Sequence, residues 1–326
     1  MEPLTQTTVV AIQDQSQVAL ARRTATEFAN IAGLDEQRTS AANIVAVELA
    51  NNLLQHAGSG QIYFSFSAPS GSFEIVSVDH GRGMTSVNRC LEDGFSTSST
   101  PGLGLGAVQR FASRFGAFSV PNRTTVVSAQ MTDARPQFDF GVICIPIQGE
   151  TLSGDSWAVS EDGSTFLVVD GLGHGIFASD ASRMATSIFL KHQSSTPKQL
   201  LEMMHSAMRS TRGAAAAIAQ INRTERKINF AGIGNIGCMI VGQERNQSLV
   251  SHNGTLGHQM RRVQEFQYSY QPSDVLLMQS DGLTTQSKQG IPPHLMSQPP
   301  SVIAAFLFSE QLRGRDDATL LVNRLG

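Results

Sequence analysis

Glu48 and Asn52 stand four residues apart in Glu48-Leu49-Ala50-Asn51-Asn52, so on a helix they share one face. A carboxylate beside an amide oxygen offers a general base next to a hard-metal ligand, a pairing that suits Mg2+. The same spacing also serves an ordinary polar stripe. Asp79 heads the run Asp79-His80-Gly81-Arg82-Gly83-Met84. Its glycines permit a tight turn and a close approach of backbone to a ligand, and the carboxylate could accept from an exocyclic amine. Asp-x-Gly is equally common in hairpin turns. In a third run, Ser96 to Gly106, Gly102, Gly104 and Gly106 alternate with Leu103 and Leu105 and lead into a helical pattern. Backbone N–H groups at a helix start, with the positive end of its dipole, suit a phosphate; a Gly-rich run alone is a weak signal.

The later part of the chain repeats a different theme, carboxylates beside turns: Gly154-Asp155, Asp170-Gly171-Leu172-Gly173-His174-Gly175, Ser280-Asp281-Gly282-Leu283 and Gly314-Arg315-Asp316-Asp317. Taken singly, each Asp-Gly pair marks a turn. Two of the clusters follow apolar strands, Thr165 to Val169 and Val275 to Gln279. Carboxylates held at the ends of neighbouring strands converge, and their repulsion then calls for a cation. Oxygen-only ligands fit Mg2+ or Mn2+, and two such ions can activate a water and clamp a phosphate for in-line attack.

The elements that would position these groups are legible. Thr7 to Ile12 reads as a strand. Asp14 or Ser16 could cap a helix running to Ala32, with Gly33 as its stop, and Asp35 opens a second helix through Gln55. Strands are expected at Gln61 to Phe66, Phe73 to Val78, Ala117 to Val120 and Thr124 to Met131, with a helix from Gly104 to Phe115. That is a small α/β sandwich with helices on one face of a mixed sheet. After the polar Thr132-Asp133-Ala134-Arg135-Pro136, strands dominate: Phe138 to Ile147, Trp157 to Ser160, Thr165 to Asp170, Ala214 to Asn222, Ile228 to Gly234, Cys238 to Val241, Val275 to Gln279 and Ala318 to Asn323. Helices at Ala178 to Leu190, Pro197 to Met208 and Ser301 to Leu312 complete a pattern of two sheets between helices. The expected domains are therefore 1–132 and 137–326, joined by a linker at 133–136.

Composition narrows the function classes. The 326 residues carry 24 Lys+Arg against 27 Asp+Glu, a net charge of −3, which argues against nucleic acid as a partner. Charged residues are 16% and hydrophobic residues 40%, so the chain can bury large cores and lacks the signature of disorder. Cys90, Cys144 and Cys238 lie far apart, which excludes a disulfide framework and a zinc site and points to a reducing compartment. No run approaches eighteen apolar residues and no apolar stretch follows Met1-Glu2. Neither a membrane span nor a signal peptide is expected, and a cytoplasmic location is.

Taken in order and at these separations, the first three motifs resemble the N, G1 and G2 boxes of the GHKL ATPases. The resemblance is nearest to the anti-sigma-factor serine kinases of the RsbT and RsbW type, and the Gly94 to Ser98 run adds to it. It implies a Bergerat-type ATP-binding α/β sandwich. In it Glu48 would act as base on an incoming serine, and Asn52 would hold Mg2+. Asp79 would read the adenine amino group, Gly81 and Gly83 would shape that pocket, and Gly102, Gly104 and Gly106 would hold the phosphates. The four acidic clusters, with Phe230 to Ile236 and Gly254 to Gly257, resemble the PPM-type phosphatases of the SpoIIE branch, the RsbX type included. That resemblance implies a PPM-type αββα sandwich. Asp170 would bridge two Mn2+ or Mg2+ ions, Gly171 would lend its carbonyl, Asp281 and Asp316 would complete one site, and Asp155 would stand in or beside the shell. The implied activity is a switch of two opposed reactions, ATP-dependent serine phosphorylation and phosphoserine or phosphothreonine hydrolysis. The implied partner is a STAS-type antagonist protein, within partner switching and a stressosome-like assembly. The alternative is a phosphatase whose first domain binds ATP or a partner without transferring phosphate. Of the remaining residues, His56 could line the first pocket and His174 could serve as an acid or bond backbone. Met203, Met204 and Met208 read as core or partner-facing surface. Trp157 reads as core, Arg261-Arg262 as a solvated turn, and Cys90 as inert.

Overall fold

Asp14 and Asp35 decide where the first two helices begin. After strand β1 (Thr8–Ile12), Asp14 accepts the Ser16 N–H and forms a reciprocal capping box with Gln17 at the start of α1 (Gln15–Ile31). Asp35 accepts the Arg38 N–H at the start of α2 (Glu36–Asn52). Each cap satisfies an otherwise orphaned donor and is worth about 1 kcal/mol. The computed structural model describes residues 6–67, 71–87, 104–132, 139–243, 245–284 and 291–326. The chain divides into two units, Met1–Pro136 with Pro292–Glu310, and Gln137–Ile291 with Gln311–Gly326. The proposed linker 133–136, Cys90, Gly102 and the Gly94–Ser98 run lie outside the described residues.

In the first unit α2 passes directly into a π-helical turn, Leu53–Ala57, which ends at Gly58 in the left-handed region. The sheet runs β1-β2-β3-β5-β4, with β2 Gly60–Ser67, β3 Ser72–Asp79, β4 Arg114–Val120 and β5 Thr124–Gln130. Every pairing is antiparallel, which corrects the mixed sheet expected from sequence. The reason is the connection between β1 and β2: two helices return the chain antiparallel, where a single crossover helix would return it parallel. Helix α3 (Gly104–Phe111) is also shorter than expected. The Ser113 N–H and hydroxyl both bond the Gln130 carbonyl, at 2.8 and 2.9 Å, and draw the chain into β4.

One face of this sheet packs Ile62, Phe64, Phe73, Ile75 and Val127 against Ala25, Phe28, Ala46 and Leu49 of the first two helices. All of β5 is buried, so the sheet needs cover on its other face as well. Helix α6 (Pro300–Gln311) supplies it. Phe306 meets Phe118 edge-on at 5.4 Å, Phe308 meets Tyr63 at 6.3 Å, and the Ser301 and Ser128 hydroxyls are 2.9 Å apart. A Cβ on Gly116 would come within 2.8 Å of Val302. Residues Ser301 to Phe308 are buried without a break, as expected of a helix that is apolar all round. Sequence order assigns this helix to the second domain; its packing groups it with the first.

The second unit holds two five-stranded antiparallel sheets. One runs β13-β10-β9-β8-β7: Phe266–Ser269, Lys227–Ile233, Ala214–Asn222, Thr165–Gly171 and Asp155–Val159. The other runs β12-β11-β14-β15-β6: Asn246–Ser248, Gly237–Val241, Val275–Gln279, Ala318–Arg324 and Phe140–Ile145. Trp157, Phe166, Val168, Phe230, Ile240, Met278 and Leu321 pack in one core that takes side chains from both sheets. Helices α4 (Ile176–Lys191) and α5 (Pro197–Ala207) bring Phe189, Leu200, Leu201 and Met204 to a second core on Leu167, Val169 and Ile218. Met204 and Met208 are fully buried there, so the methionine cluster is core.

Candidate functional site

Strand register places the first two aspartates side by side. Asp155 at the start of β7 pairs with Asp170 near the end of β8, so both side chains leave the same face, about 5 Å apart at Cβ. Residues two and four positions away, Trp157, Val168 and Phe166, belong to the intersheet core. The two carboxylates therefore point into the end of the space between the sheets. Asp155 is only 3% exposed and accepts the Ser280 hydroxyl at 2.6 Å, while Ser280 accepts the Thr319 N–H at 2.9 Å. This serine joins the two sheets at the acidic end.

Glycines let the other acidic turns close in. A Cβ on Gly282 would lie 2.0 Å from the Asp317 carbonyl oxygen, so the Asp281 and Asp316-Asp317 turns touch backbone to backbone. A Cβ on Gly154 would meet the Asp317 carboxylate at 2.7 Å and the Gly173 carbonyl at 3.2 Å, and one on Gly171 would strike the Ala178 carbonyl at 2.2 Å. Asp317 spends both oxygens on backbone, accepting the Ile147 and Gly154 N–H groups at 2.8 Å each. It is a brace between turns. Asp281 is held by the Asn235 amide at 2.7 Å, and Asp316 accepts the Asp317 N–H at 2.9 Å.

The electrostatics follow from this crowding. Burial pushes the Asp170 carboxyl up to about 9, with the charges of Asp155, Asp281, Asp316 and Asp317 adding to it. Burial likewise raises Asp155 to about 7, against the Ser280 hydrogen bond. Asp281 is raised by burial and by Asp316, opposed by Arg313 and Asn235. Among the described residues, no three His, Cys, Asp or Glu side chains close into one coordination sphere. Asp155 and Asp170 do stand side by side in register, and one or two carboxylates are enough for a small hard cation that keeps most of its waters. Carboxyls that burial and mutual repulsion hold against ionisation at the end of a sandwich are the observation that fits a divalent cation here.

The first unit gathers its three motifs in the same manner. Glu48 on α2 accepts the backbone N–H of Gly104, which opens α3 with φ +61°. Burial raises the Glu48 carboxyl above its usual range, and that hydrogen bond opposes the rise. Asn52 lies one turn further on, and its buried Nδ2 has no hydrogen-bond partner. The π-helical turn that follows is a local irregularity of the kind often found at functional sites. Asp79 ends β3 and accepts the Gly81 N–H at 2.9 Å, its carboxyl raised by burial. A Cβ on Gly81 would come within 2.8 Å of Ala57, so the Asp79 turn packs on the π-helical turn. Gly83 has φ +74° against Pro121, and Gly106 is buried in the first turn of α3. His56 falls within reach of Arg82 and Asp79, its pKa lowered by burial and by that arginine.

The structure thus brings Glu48, Asn52, Gly104 and Asp79-Gly81 to one side of the first unit. It brings Asp155, Asp170, Gly171, Asp281 and Asp316 to one end of the second. His174 bonds the Glu150 carboxylate at 2.7 Å, rather than backbone. Trp157 lies in the core, edge-on to Phe140 at 5.9 Å. Sequence reasoning passed over Ser280 and Asn235. Ser280 adjoins Asp281 and Asn235 sits inside the Phe230 to Ile236 run, but nothing in a sequence marks a hydroxyl or an amide as the partner of a carboxylate on another strand.

Comparison with known proteins separates the two parts of the chain. The family model described as Stage II sporulation protein E (SpoIIE) matches residues 160–326, and that of the histidine kinase-like ATPase domain matches residues 12–130. Phosphoserine phosphatase RsbX of Bacillus subtilis (strain 168) is 25% identical over 183 residues, covering 55% of this chain and 90% of RsbX. Serine/threonine-protein kinase RsbT of the same organism is 38% identical over 84 residues. Those residues are 25% of this chain, which spans 63% of the length of RsbT. Among solved structures, a chain from the bacterial stressosome matches with TM-score 0.52 and 24% identity over 57% of this chain and 99% of that one. RsbX in complex with magnesium matches with TM-score 0.50 and 22% identity, over 57% and 94%. At these identities the structural matches speak for the fold of the second part alone, a PPM-type αββα sandwich; the Bergerat-type ATP-binding α/β sandwich before it rests on the ATPase family model. No helix among the described residues is long and apolar enough to cross a membrane.

Proposed function

This chain belongs to the SpoIIE family of PPM-type serine/threonine phosphatases, fused here to a kinase-like ATPase domain, and from that membership we propose a two-way protein phosphorylation switch. In this reading the domain at 1–132 phosphorylates a serine on a STAS-type antagonist protein. The domain at 137–326 removes such a phosphate, within a partner-switching or stressosome-like assembly. The convergence of aspartates from four turns on one end of the sandwich, with Asp170 pushed up to about 9, carries the phosphatase half.

In that half, Asp155, Asp170, Asp281 and Asp316, with the Gly171 carbonyl, would hold Mn2+ or Mg2+. When bound, such ions supply an activated water and charge neutralisation for in-line attack at phosphorus. Ser280 fixes the Asp155 carboxylate by donating to it, and Asn235 does the same for Asp281. Asp317 keeps the Gly154 and Ile147 turns against the cluster, so the carboxylates stay aligned when charge develops.

In the first half, Asp79 would accept from the adenine amino group of ATP, with Gly81 and Gly83 shaping the purine pocket. Gly102, Gly104 and Gly106 would donate backbone N–H groups to the phosphates, and Asn52 would hold Mg2+. Glu48 takes the proton from the serine hydroxyl as its oxygen bonds the γ-phosphorus and ADP leaves. Such transfer asks chiefly for positioning and charge neutralisation. A carboxyl raised by burial is a stronger base for this than an exposed one.

A second reading, in which the first domain binds ATP without transferring phosphate, is favoured by one observation: Glu48 is engaged by the Gly104 N–H. One experiment separates the two. The full chain is incubated with labelled ATP, Mg2+ or Mn2+ and a STAS-domain protein. The switch reading expects label on that protein, none with Glu48→Ala, and accumulated label with Asp281→Ala. Failure of both wild type and Asp281→Ala to label would leave the binding reading. Phosphate release unchanged in Asp281→Ala would refute the phosphatase site.

A further inference from the structure

Nine large hydrophobic residues are exposed among the described residues, and four of them, Leu152, Leu172, Ile176 and Phe177, sit on the turns that carry Asp155 and Asp170. Ile176 and Phe177 are the most exposed of the nine, at 59% and 61%. These turns are laced together. Glu150 bonds His174 at 2.7 Å, and its carboxylate lies 3.1 Å from where a Gly175 Cβ would stand. The 150–152 segment therefore runs along the 173–175 turn. The Leu172 N–H donates to the Gly213 carbonyl at 3.0 Å. Next to Gly213, the Arg212 guanidinium lies 5.1 Å from the centre of the Phe177 ring. Four exposed apolar side chains and one cation thus form a rim on the turns beside Asp155 and Asp170.

Nothing in the folding of the unit accounts for this rim. Ile176 and Phe177 open α4, where the helix dipole favours acidic residues, and α4 carries no acidic residue in its first turn. Adjoining exposed apolar side chains mark a place of contact, and these adjoin the reacting end of the sandwich. Arg212, held over Phe177, supplies the positive charge that an anionic segment needs beside so many carboxylates.

We infer that Leu152, Leu172, Ile176 and Phe177 form an apolar collar around the acidic cluster that receives the hydrophobic residues flanking a phosphoserine or phosphothreonine on a protein substrate. Arg212 braces Phe177 and adds charge complementarity. The inference rests on the phosphatase reading above and assigns its substrate preference: phosphorylated segments with large aliphatic neighbours.

The test uses the full chain with Mn2+ and three probes. They are p-nitrophenyl phosphate, a phosphoserine peptide flanked on both sides by Leu and Ile, and the same peptide flanked by Gly and Ser. Wild type should favour the aliphatic peptide by about tenfold in kcat/KM, equivalent to about 1.4 kcal/mol. Ile176→Ser and Phe177→Ser should bring that ratio to within about twofold of unity, chiefly through KM. Turnover of p-nitrophenyl phosphate, too small to span the collar, should stay within about twofold of wild type. Leu20→Ser, an equally drastic change at an exposed site on α1, should keep the preference. Equal turnover of both peptides by wild type, or a preference that survives both collar substitutions, overturns the inference. A wild-type dimer split by the collar substitutions with the preference intact would assign the surface to a second copy and likewise overturn it. Loss of all turnover by wild type, p-nitrophenyl phosphate included, refutes the phosphatase reading first and the collar with it.

Discussion

Replacing Asp170 by Asn should make the metal-free protein more stable while removing its response to Mn2+. In the folded chain the Asp170 carboxyl is raised from 3.8 to about 9. A group raised on folding lends its stability in full below its unfolded value and loses it as pH climbs towards the folded value. Between pH 5.5 and pH 8 the unfolded chain ionises Asp170 while the folded chain keeps it protonated. The loss is about 1.4 kcal/mol per pH unit at most. Water reaching this partly exposed residue reduces the total to about 2–3 kcal/mol. For a unit of this size that is a fall in Tm of about 5–10 °C. Thermal unfolding in the presence of a chelator, at the two pH values, measures it. Asp170→Asn should remove its own share of the slope, leaving the share of the raised Asp155, and should raise Tm at pH 8. Mn2+ at a hundredfold excess over its Kd should add about 2.7 kcal/mol to wild type and little to the variant. A wild-type Tm that is flat or rises from pH 5.5 to 8 without metal, or an Asn variant less stable than wild type at pH 8, would refute this account of the cluster.

Three further outcomes are expected. Glu48→Gln should lower phosphoryl transfer by about 10²–10⁴-fold with ATP affinity within a few-fold of wild type by calorimetry, and because burial raises Glu48 the acid limb of the wild-type transfer rate should lie above pH 4.5, activity falling as pH drops through it. Asp317→Ala strips acceptors from the Ile147 and Gly154 N–H groups and should cost about 2–4 kcal/mol, read by urea denaturation, with slower p-nitrophenyl phosphate turnover. Phe306→Ala, which empties the contact with Phe118, should cost about 3–5 kcal/mol in the unfolding transition reported by the first unit.

Much of this architecture is written locally. Asp14 and Asp35 announce their helices because a cap needs only its own next turn. The strand that ends in Asp170 is recognisable because an apolar run of that length followed by Asp-Gly has few other uses. The three motifs of the first unit and the four acidic turns of the second were visible for the same reason. What stayed hidden depends on distant partners. Strand direction in the first sheet follows from the two-helix connection. The short β12 and β13, Asn246–Ser248 and Phe266–Ser269, show too little pattern to be read alone and form along the edge of a longer neighbour. In sequence Asp317 is only the neighbour of Asp316, and it takes the approach of the Ile147 and Gly154 amides to show what its oxygens do. The all-apolar run of α6 declares that it must be covered without saying by what.

That last helix bears on how the chain can be taken apart. Although residues 300–310 lie between β14 and β15 of the second unit in chain order, they cover one face of the first unit's sheet. Cutting the gene after Pro136 would therefore release a front half with an oily sheet open to water, and a back half with a bare apolar helix inserted before its last strand. Expression of the front half alone should call for α6 to be grafted on or for the exposed sheet to be rewritten with polar residues.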